Sequence, residues 1–461
     1  MEEKINSISQ EEKLKNKIES WLLWWAIGDA LGAPVEMTTK EQIFAKHGRV
    51  EDYLPIKNNM FFNKHWFESD EGGRVTDDTI LTFALIKSYN ELERLDLDDI
   101  FKKHQEEYDK FPYGFGSATR FGMQNIKEGM SLQKSWMKDS AGNGVVMKQF
   151  PLAAIASVKN ISDENMAELI NTYTRATHNS DIAVVASLVH HKFLKLLLET
   201  QPKKLHKMEL LHQLIEFILP YEQQYPQAEN NISDMLTTLS TYINETGAFT
   251  LNDDDIIELF GRGKLDENNP RDIFKSGYVL STLWIVYALF LRGWNFEALI
   301  NAVNIGWDTD SYAAIMGNMM GAYQWIEYEK NISMACKKKK KSLPMWIHSL
   351  QNYFPNNSFF LSILYSHKDL VKAHKSIFLY VFLIKTFIPS DCKNSCNNNE
   401  RLSPMSAPER PNGLVQNHNR SNSTTYSIFK CSDVCGFWIS FRKILRRFII
   451  FGTVWAFACL I

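Results

Sequence analysis

Apolar residues recur three and four positions apart through almost every segment of the body of this chain, a period that builds helices and leaves little room for strands. Ile18 to Leu31, Ile80 to Leu92, Asp181 to Leu198, Leu205 to Leu219, Tyr278 to Leu291 and Tyr312 to Ile326 each read as a helix of ten or more residues. Alternating patterns are scarce. Turn-forming residues interrupt the periodic segments at Gly32 to Pro34, Glu71 to Gly73, Pro112 to Gly116, Gly142 to Gly144 and Glu267 to Pro270. A chain of 461 residues that is 45% hydrophobic can bury a substantial core, so an all-α body is expected. The neighbouring Trp21, Trp24 and Trp25 fit that core better than a base-stacking surface.

Charge adds a constraint on partners. Lys and Arg total 51 against 53 Asp and Glu, so no global field draws the chain to nucleic acid or an anionic membrane, and any phosphate must be held locally. The polar opening from Met1 to Lys17 does not resemble a secretion signal, and a cytoplasmic or nuclear, monomeric protein is the expectation. All six cysteines lie from Cys336 onward, which keeps thiolate chemistry out of the main body. Cys392/Cys396 and Cys431/Cys435 read as unpaired thiols rather than a zinc site, since the Asn/Ser/Pro-rich segment between them has no finger-like framework.

The composition changes near residue 356. Residues 1–355 read as a catalytic domain and 356–461 as a low-complexity, hydrophobic and largely disordered tail. Phe448 to Ile461 follows Arg442, Lys443, Arg446 and Arg447 but supplies fourteen residues, whereas a bilayer span needs about 20. A tail anchor and an interfacial helix are therefore weaker readings than a poorly structured end.

The chemistry-bearing residues fall in short clusters. Gly28-Asp29-Ala30-Leu31-Gly32-Ala33-Pro34-Val35-Glu36 closes the first helix, with Asp29 on its last turn and Glu36 on the loop beyond. Alone, Asp29 reads more readily as a cap for a neighbouring helix, and Glu36 as a solvated loop carboxylate, than as chemistry-bearing groups. Thr76-Asp77-Asp78-Thr79 opens the helix before Ile80. With Thr76 or Asp77 as N-cap, a capping role accounts for one acidic residue there; two side by side are easier to understand if a divalent cation offsets their repulsion. Asp308-Thr309-Asp310-Ser311 has the same construction, and an extended backbone would put Asp308 and Asp310 on one side. Two such helix starts facing each other supply hard oxygen ligands suited to Mg²⁺ or Mn²⁺, and to two ions better than one. Gly317 and Gly321, four apart, allow a second helix to approach closely or simply pack in the core.

Gly28-Asp29-Ala30-Leu31-Gly32 with Glu36, Thr76-Asp77-Asp78-Thr79, Gly142-Asn143-Gly144 with Met147 and Pro151, and Asp308-Thr309-Asp310-Ser311 resemble, in this order, the signature of the ADP-ribosylglycohydrolase family. The resemblance covers about residues 15–350, with Leu343-Pro344-Met345-Trp346 similar to the family's closing helix. It implies an orthogonal multi-helix bundle with a di-metal cleft, and Mg²⁺-dependent hydrolysis of the bond between ADP-ribose and a protein side chain or related acceptor. Carried over, Thr76, Asp77, Asp78, Asp308, Asp310 and Ser311 are the expected ligands of two Mg²⁺ ions, with Mn²⁺ as a substitute. Glu36 is the expected proton carrier, with Asp77 or Asp78 second. Gly116, Ser117, Ser140, Gly142, Asn143 and His178 correspond to segments around the diphosphate and ribose. By itself His178 reads more readily as a packed or cap-neighbouring histidine, and Phe115 as core or as an adenine platform.

Three residues depart from the family's pattern. Lys148 stands where Arg is common, Trp307 where a small residue precedes Asp308, and Ser311 where Thr or Asn is common. Two other functions compete: a non-catalytic member acting as a binding or structural protein, and a different two-metal hydrolase such as a phosphoesterase.

Overall fold

In the computed structural model, the described residues are 10–56, 73–110, 114–200, 206–228, 231–260 and 277–323. The expected tail, the cysteines, the closing segment at Leu343 and the boundary at 355/356 lie outside them, as do Ile326 and the turn at Glu267 to Pro270.

The fold is all-α. Among the described residues the helices in chain order are α1 (Gln10–Gly32), α2 (Lys40–His47), α3 (Asp77–Leu92), α4 (Leu97–Lys110) and α5 (Ser117–Lys127). Then come α6 (Phe150–Lys159), α7 (Asp163–Arg175), α8 (Asp181–Glu199), α9 (Lys207–Gln224) and α10 (Asn231–Thr241). The series ends with α11 (Asp253–Phe260), α12 (Val279–Arg292), α13 (Phe296–Asn304) and α14 (Thr309–Tyr323). Two-residue strands β1 (Thr38–Thr39) and β4 (Gly306–Trp307) pair antiparallel, and β2 (Met137–Lys138) and β3 (His178–Asn179) pair parallel. Among the described residues no helix is long and apolar enough to cross a membrane.

Local chemistry sets the helix ends. Thr76 caps α3 by accepting from the N–H of Asp78, and Glu93 ends it in the left-handed region. Pro220 marks Leu219 as a stop in the sequence, yet α9 continues to Gln224. The extra turn buries Glu222, whose Oε1 accepts from the N–H groups of Ile232 at 2.6 Å and Ser233 at 3.1 Å. Those bonds cap α10.

Helix α8 is central, packed against α6, α7, α9 and α12. The most intimate pair is α1 with α14. A Cβ added at Gly28 would fall on the carbonyl of Ala313, and one at Gly32 on that of Thr309. From the other side, Gly317 abuts the carbonyl of Trp24 and Gly321 the backbone of Trp21. Contacts that run up one helix and down the other define an antiparallel pair held backbone to backbone. The tryptophans fill the core around it: Trp21 stacks on Phe150 with centroids 3.5 Å apart and on Trp25 at 5.7 Å. Phe115 is likewise buried, edge-on to Tyr108.

Candidate functional site

The α1/α14 pairing carries the end of α1 to the start of α14, and the acidic residues meet there. Asp29, on the last turn of α1, is fully buried. Its carboxylate accepts from the N–H of Thr76 at 3.0 Å, the N–H of Thr79 at 3.2 Å and the hydroxyl of Thr79. Asp29 therefore caps the neighbouring helix α3, the plainer of its two readings, and in doing so fixes the Thr76–Asp78 cluster. Even with those donors, burial lifts its carboxyl to about 6.

At the junction of the two helix starts stands Asp78. Its Oδ2 accepts a hydroxyl from each side, Thr76 Oγ1 and Ser311 Oγ, both at 3.3 Å. Asp310 does not lie on an extended segment with Asp308, because α14 already begins at Thr309. Asp308 stands just before the helix and Asp310 in its first turn. Their carboxylates nevertheless converge, and each of Glu36, Asp308 and Asp310 offers an oxygen within 4.8 Å of the others.

Glu36 reaches this position by a route that local patterning does not reveal. Residues 33–35 form one 3-10 turn after α1, and then Met37 donates its N–H to the carbonyl of Trp307 at 2.5 Å. The β1/β4 pairing continues that link, with Thr38 opposite Trp307 and Thr39 opposite Gly306. Met37 and Trp307 have φ of 59° and 70°, and Gly306 has 92°. Left-handed backbone costs a non-glycine residue about 1–2 kcal/mol. Here it lies beside Glu36 on one strand and Asp308 on the other. Trp307, half-buried, is part of this link.

The electrostatics match the crowding. Burial raises Asp77 to about 7, with Asp29 adding to the shift and Lys148 opposing it. Burial followed by the neighbouring carboxylates pushes Asp78 and Asp310 well above the ordinary range, and burial raises Asp308 despite its donors. Among the described residues, Asp78 Oδ1 and Asp310 Oδ1 are buried without a hydrogen-bond partner. Buried carboxylate oxygens seldom go unsatisfied. Oxygen-only donors, mutual repulsion and two orphaned carboxylate oxygens together fit a hard divalent cation. Thr76, Asp77 and Ser311 are buried at the same place.

The residues expected around the ligand divide into two groups. The Gly142–Gly144 turn adjoins the acidic centre: Asn143 Nδ2 donates to Asp308 Oδ2 at 2.5 Å and to Thr282 Oγ1 at 3.0 Å, while its N–H is used on the carbonyl of Gly277. Both ends of Asn143 are thus engaged within the protein. His178 is 3% exposed, and its Nε2 would stand 3.1 Å from a Cβ on Gly142. Its ring supports the turn from beneath, and burial, then Lys148, hold it neutral, at about 3. Ser140 is half-buried just before the turn. Gly116 and Ser117 are exposed at the N-terminal end of α5. No hydrogen bond among the described residues joins them to the acidic centre, but Thr119 of the same first turn of α5 would lie 3.2 Å from a Cβ on Gly144.

Comparison with known proteins gives the chemistry a family. A family model described as ADP-ribosylglycohydrolase matches residues 10–327. The chain is 28% identical to the ADP-ribosyl-[dinitrogen reductase] glycohydrolase of Rhodospirillum rubrum over 49% of this chain and 72% of that protein. It is 24% identical to the ADP-ribosylarginine hydrolase Tri1 of Serratia proteamaculans over 68% of this chain and 73% of the relative. A solved structure described as an ADP-ribosylglycohydrolase-related protein complex aligns with 68% of this chain and 88% of its own, at 22% identity and a TM-score of 0.43.

Proposed function

Since the chain belongs to the ADP-ribosylglycohydrolase family and is a glycohydrolase, we propose that it removes ADP-ribose from a protein side chain in a reaction that needs Mg²⁺. The observation that carries this reading is the convergence of Glu36, Asp308 and Asp310 within 4.8 Å, beside the orphaned Oδ1 atoms of Asp78 and Asp310. Thr76, Asp77, Asp78, Asp308, Asp310 and Ser311 would hold two Mg²⁺ ions, with Mn²⁺ as a substitute. When bound, these ions would supply Lewis acidity and an orienting grip on the vicinal ribose hydroxyls.

The protein's own residues supply the rest. Glu36 is half-buried where Asp78, Asp308 and Asp310 are buried, so it is the carboxylate placed to exchange a proton with an entering water. As the glycosidic bond lengthens, positive charge develops on the ribose, and the adjoining carboxylates stabilise it. Asn143 keeps Asp308 aimed, and His178 holds the Gly142–Gly144 turn against which the ribose and diphosphate would lie. With Gly116, Ser117 and Ser140, that turn offers backbone and hydroxyl donors suited to a diphosphate without a basic patch.

Arginine is the first acceptor to test, since that is the one named for the Serratia relative. Full-length protein is incubated with arginine-linked and serine-linked ADP-ribosyl peptides, with and without Mg²⁺, and released ADP-ribose is measured. Release that requires Mg²⁺ and is lost in an Asp308→Ala, Asp310→Ala variant is the expected result. Equal release from wild type and this variant would remove the acidic centre from the mechanism.

A further inference from the structure

The segment that supplies Ser140, Gly142 and Asn143 hangs between two anchors. On one side Asn143 donates its N–H to the carbonyl of Gly277 at 2.8 Å, and Val279 donates to that of Ala141 at 2.9 Å, which ties the segment to the start of α12. On the other side β2 lies along β3, where Met137 and Asp139 donate to the carbonyls of Thr177 and Asn179, both at 3.1 Å. Asp139, where the chain leaves β2, has φ of 55°. A non-glycine residue persists in that region where its surroundings hold it there. The position of β3 therefore sets one end of the segment. β3 also carries His178, whose ring supports the Gly142–Gly144 turn.

Arg175, the last residue of α7, grips β3 from the side. Its guanidinium is shared three ways: Nε donates to Asn171 Oδ1 at 2.9 Å within α7, Nη1 to Asn179 Oδ1 at 2.7 Å on β3, and Nη2 to Asp181 Oδ1 at 2.5 Å at the start of α8. The Tyr225 ring centroid lies 5.6 Å from the guanidinium carbon, and the N–H of Gln227 donates to Asp181 Oδ2 at 3.4 Å. The link between α9 and α10 thus closes over the same group. A planar fork with donors on three nitrogens can serve α7, β3 and α8 at once, which a single ammonium cannot do in one geometry.

We propose that Arg175 is a positioning residue for ADP-ribose. Through Asn179 it holds β3, and with β3 the Ser140–Gly144 segment and His178, in the arrangement that takes the ribose and diphosphate. Among the described residues no hydrogen bond joins Arg175 to the acidic centre, so its effect falls on ligand binding. The inference rests on the reading above that this turn receives ADP-ribose.

Calorimetric titration of the full chain with ADP-ribose, in the presence of Mg²⁺ and at a temperature where every variant is folded, tests it. Arg175→Met keeps the aliphatic stem and removes the fork. It and Asn179→Ala are each expected to weaken binding by about tenfold or more, the scale of a hydrogen bond to a charged group. The double variant is expected to lose no more than either single one, because both remove the same bond. A merely structural role lowers the melting temperature and leaves the affinity of the folded protein where it was. Wild-type affinity in Arg175→Met, or losses that add in the double variant, therefore overturn the inference and leave the ligand reading standing. No ADP-ribose binding by wild type overturns both. Should Arg175→Met fail to fold, Arg175→Lys carries the same expectation.

Discussion

The side-chain amide of Asn143 donates to Asp308 Oδ2 at 2.5 Å across 165 residues of sequence. The second donation to Thr282 and the backbone bond to Gly277 hold Asn143 in place against Asp308, whose carboxylate lies within 4.8 Å of those of Glu36 and Asp310. Asn143→Ala frees that carboxylate. Partners that orient a ligand typically contribute about ten- to a hundredfold in metal affinity, and a loss of that size is expected for Mn²⁺ by calorimetry. Wild-type affinity in Asn143→Ala would mean that the bond orients nothing.

The α1/α14 interface tolerates no added methyl. Gly317→Ala places a Cβ against the Trp24 carbonyl, and Gly28→Ala one against that of Ala313. Each is expected to destabilise by about 1–3 kcal/mol, the usual cost of overpacking, seen as a lower midpoint in urea or heat. Gly116→Ala is the control: among the described residues nothing lies within 4 Å of the added Cβ, so its midpoint should match that of the wild type.

Buried carboxylates also set a pH dependence. In the folded protein Asp29 rises to about 6 and Asp77 to about 7, both through burial first, against about 3.9 when unfolded. Between those values the folded state keeps protons that the unfolded state has released. Their stabilising effect is complete below pH 4 and is lost as pH rises through 6 and 7. In EDTA the melting temperature is therefore expected to fall from pH 5 to pH 8. Added Mg²⁺ should restore it at the upper end; a flat profile in EDTA would contradict the burial of these groups.

Lys17 provides a test remote from the acidic centre. Its buried Nζ donates to the carbonyls of Leu197 at 2.7 Å, Leu198 at 2.9 Å and Thr200 at 2.6 Å, closing the C-terminal end of α8. Lys17→Met leaves those carbonyls without a donor, at an expected cost of about 1–3 kcal/mol. Mn²⁺ affinity should be unchanged, and a parallel loss would show that the end of α8 and the acidic centre are coupled.

Much of what is local in sequence was legible before the fold was known. Thr76 capping α3, Asp29 on the last turn of α1 and the apolar period of α8 and α12 each depend on residues within a turn or two. Gly317 and Gly321 were recognisable as a stripe of small residues, but their partners, the backbone of Trp24 and Trp21, are set by tertiary packing. The same applies to Glu36, whose place depends on a two-residue strand pairing with Gly306 and Trp307; the only local hint was the glycine. The extended backbone expected at Asp308–Asp310 gave way because Thr309 already starts the helix. Lys148 was visible as a departure from a family pattern, and its burial without a partner was not, since that depends on what α3 and α7 place around it.

The pairing of the first described helix with the last imposes an order on assembly. The Thr309 hydroxyl reaches the Gly32 carbonyl across 277 residues, and Trp21 reaches Asn318 across 297. Contacts that distant form late, after shorter loops have closed. On the ribosome, Asp29, Glu36 and Asp78 emerge long before Asp308 and Asp310 exist to meet them. The acidic centre thus serves as a completion mark, present only in chains whose first and last described helices have found each other.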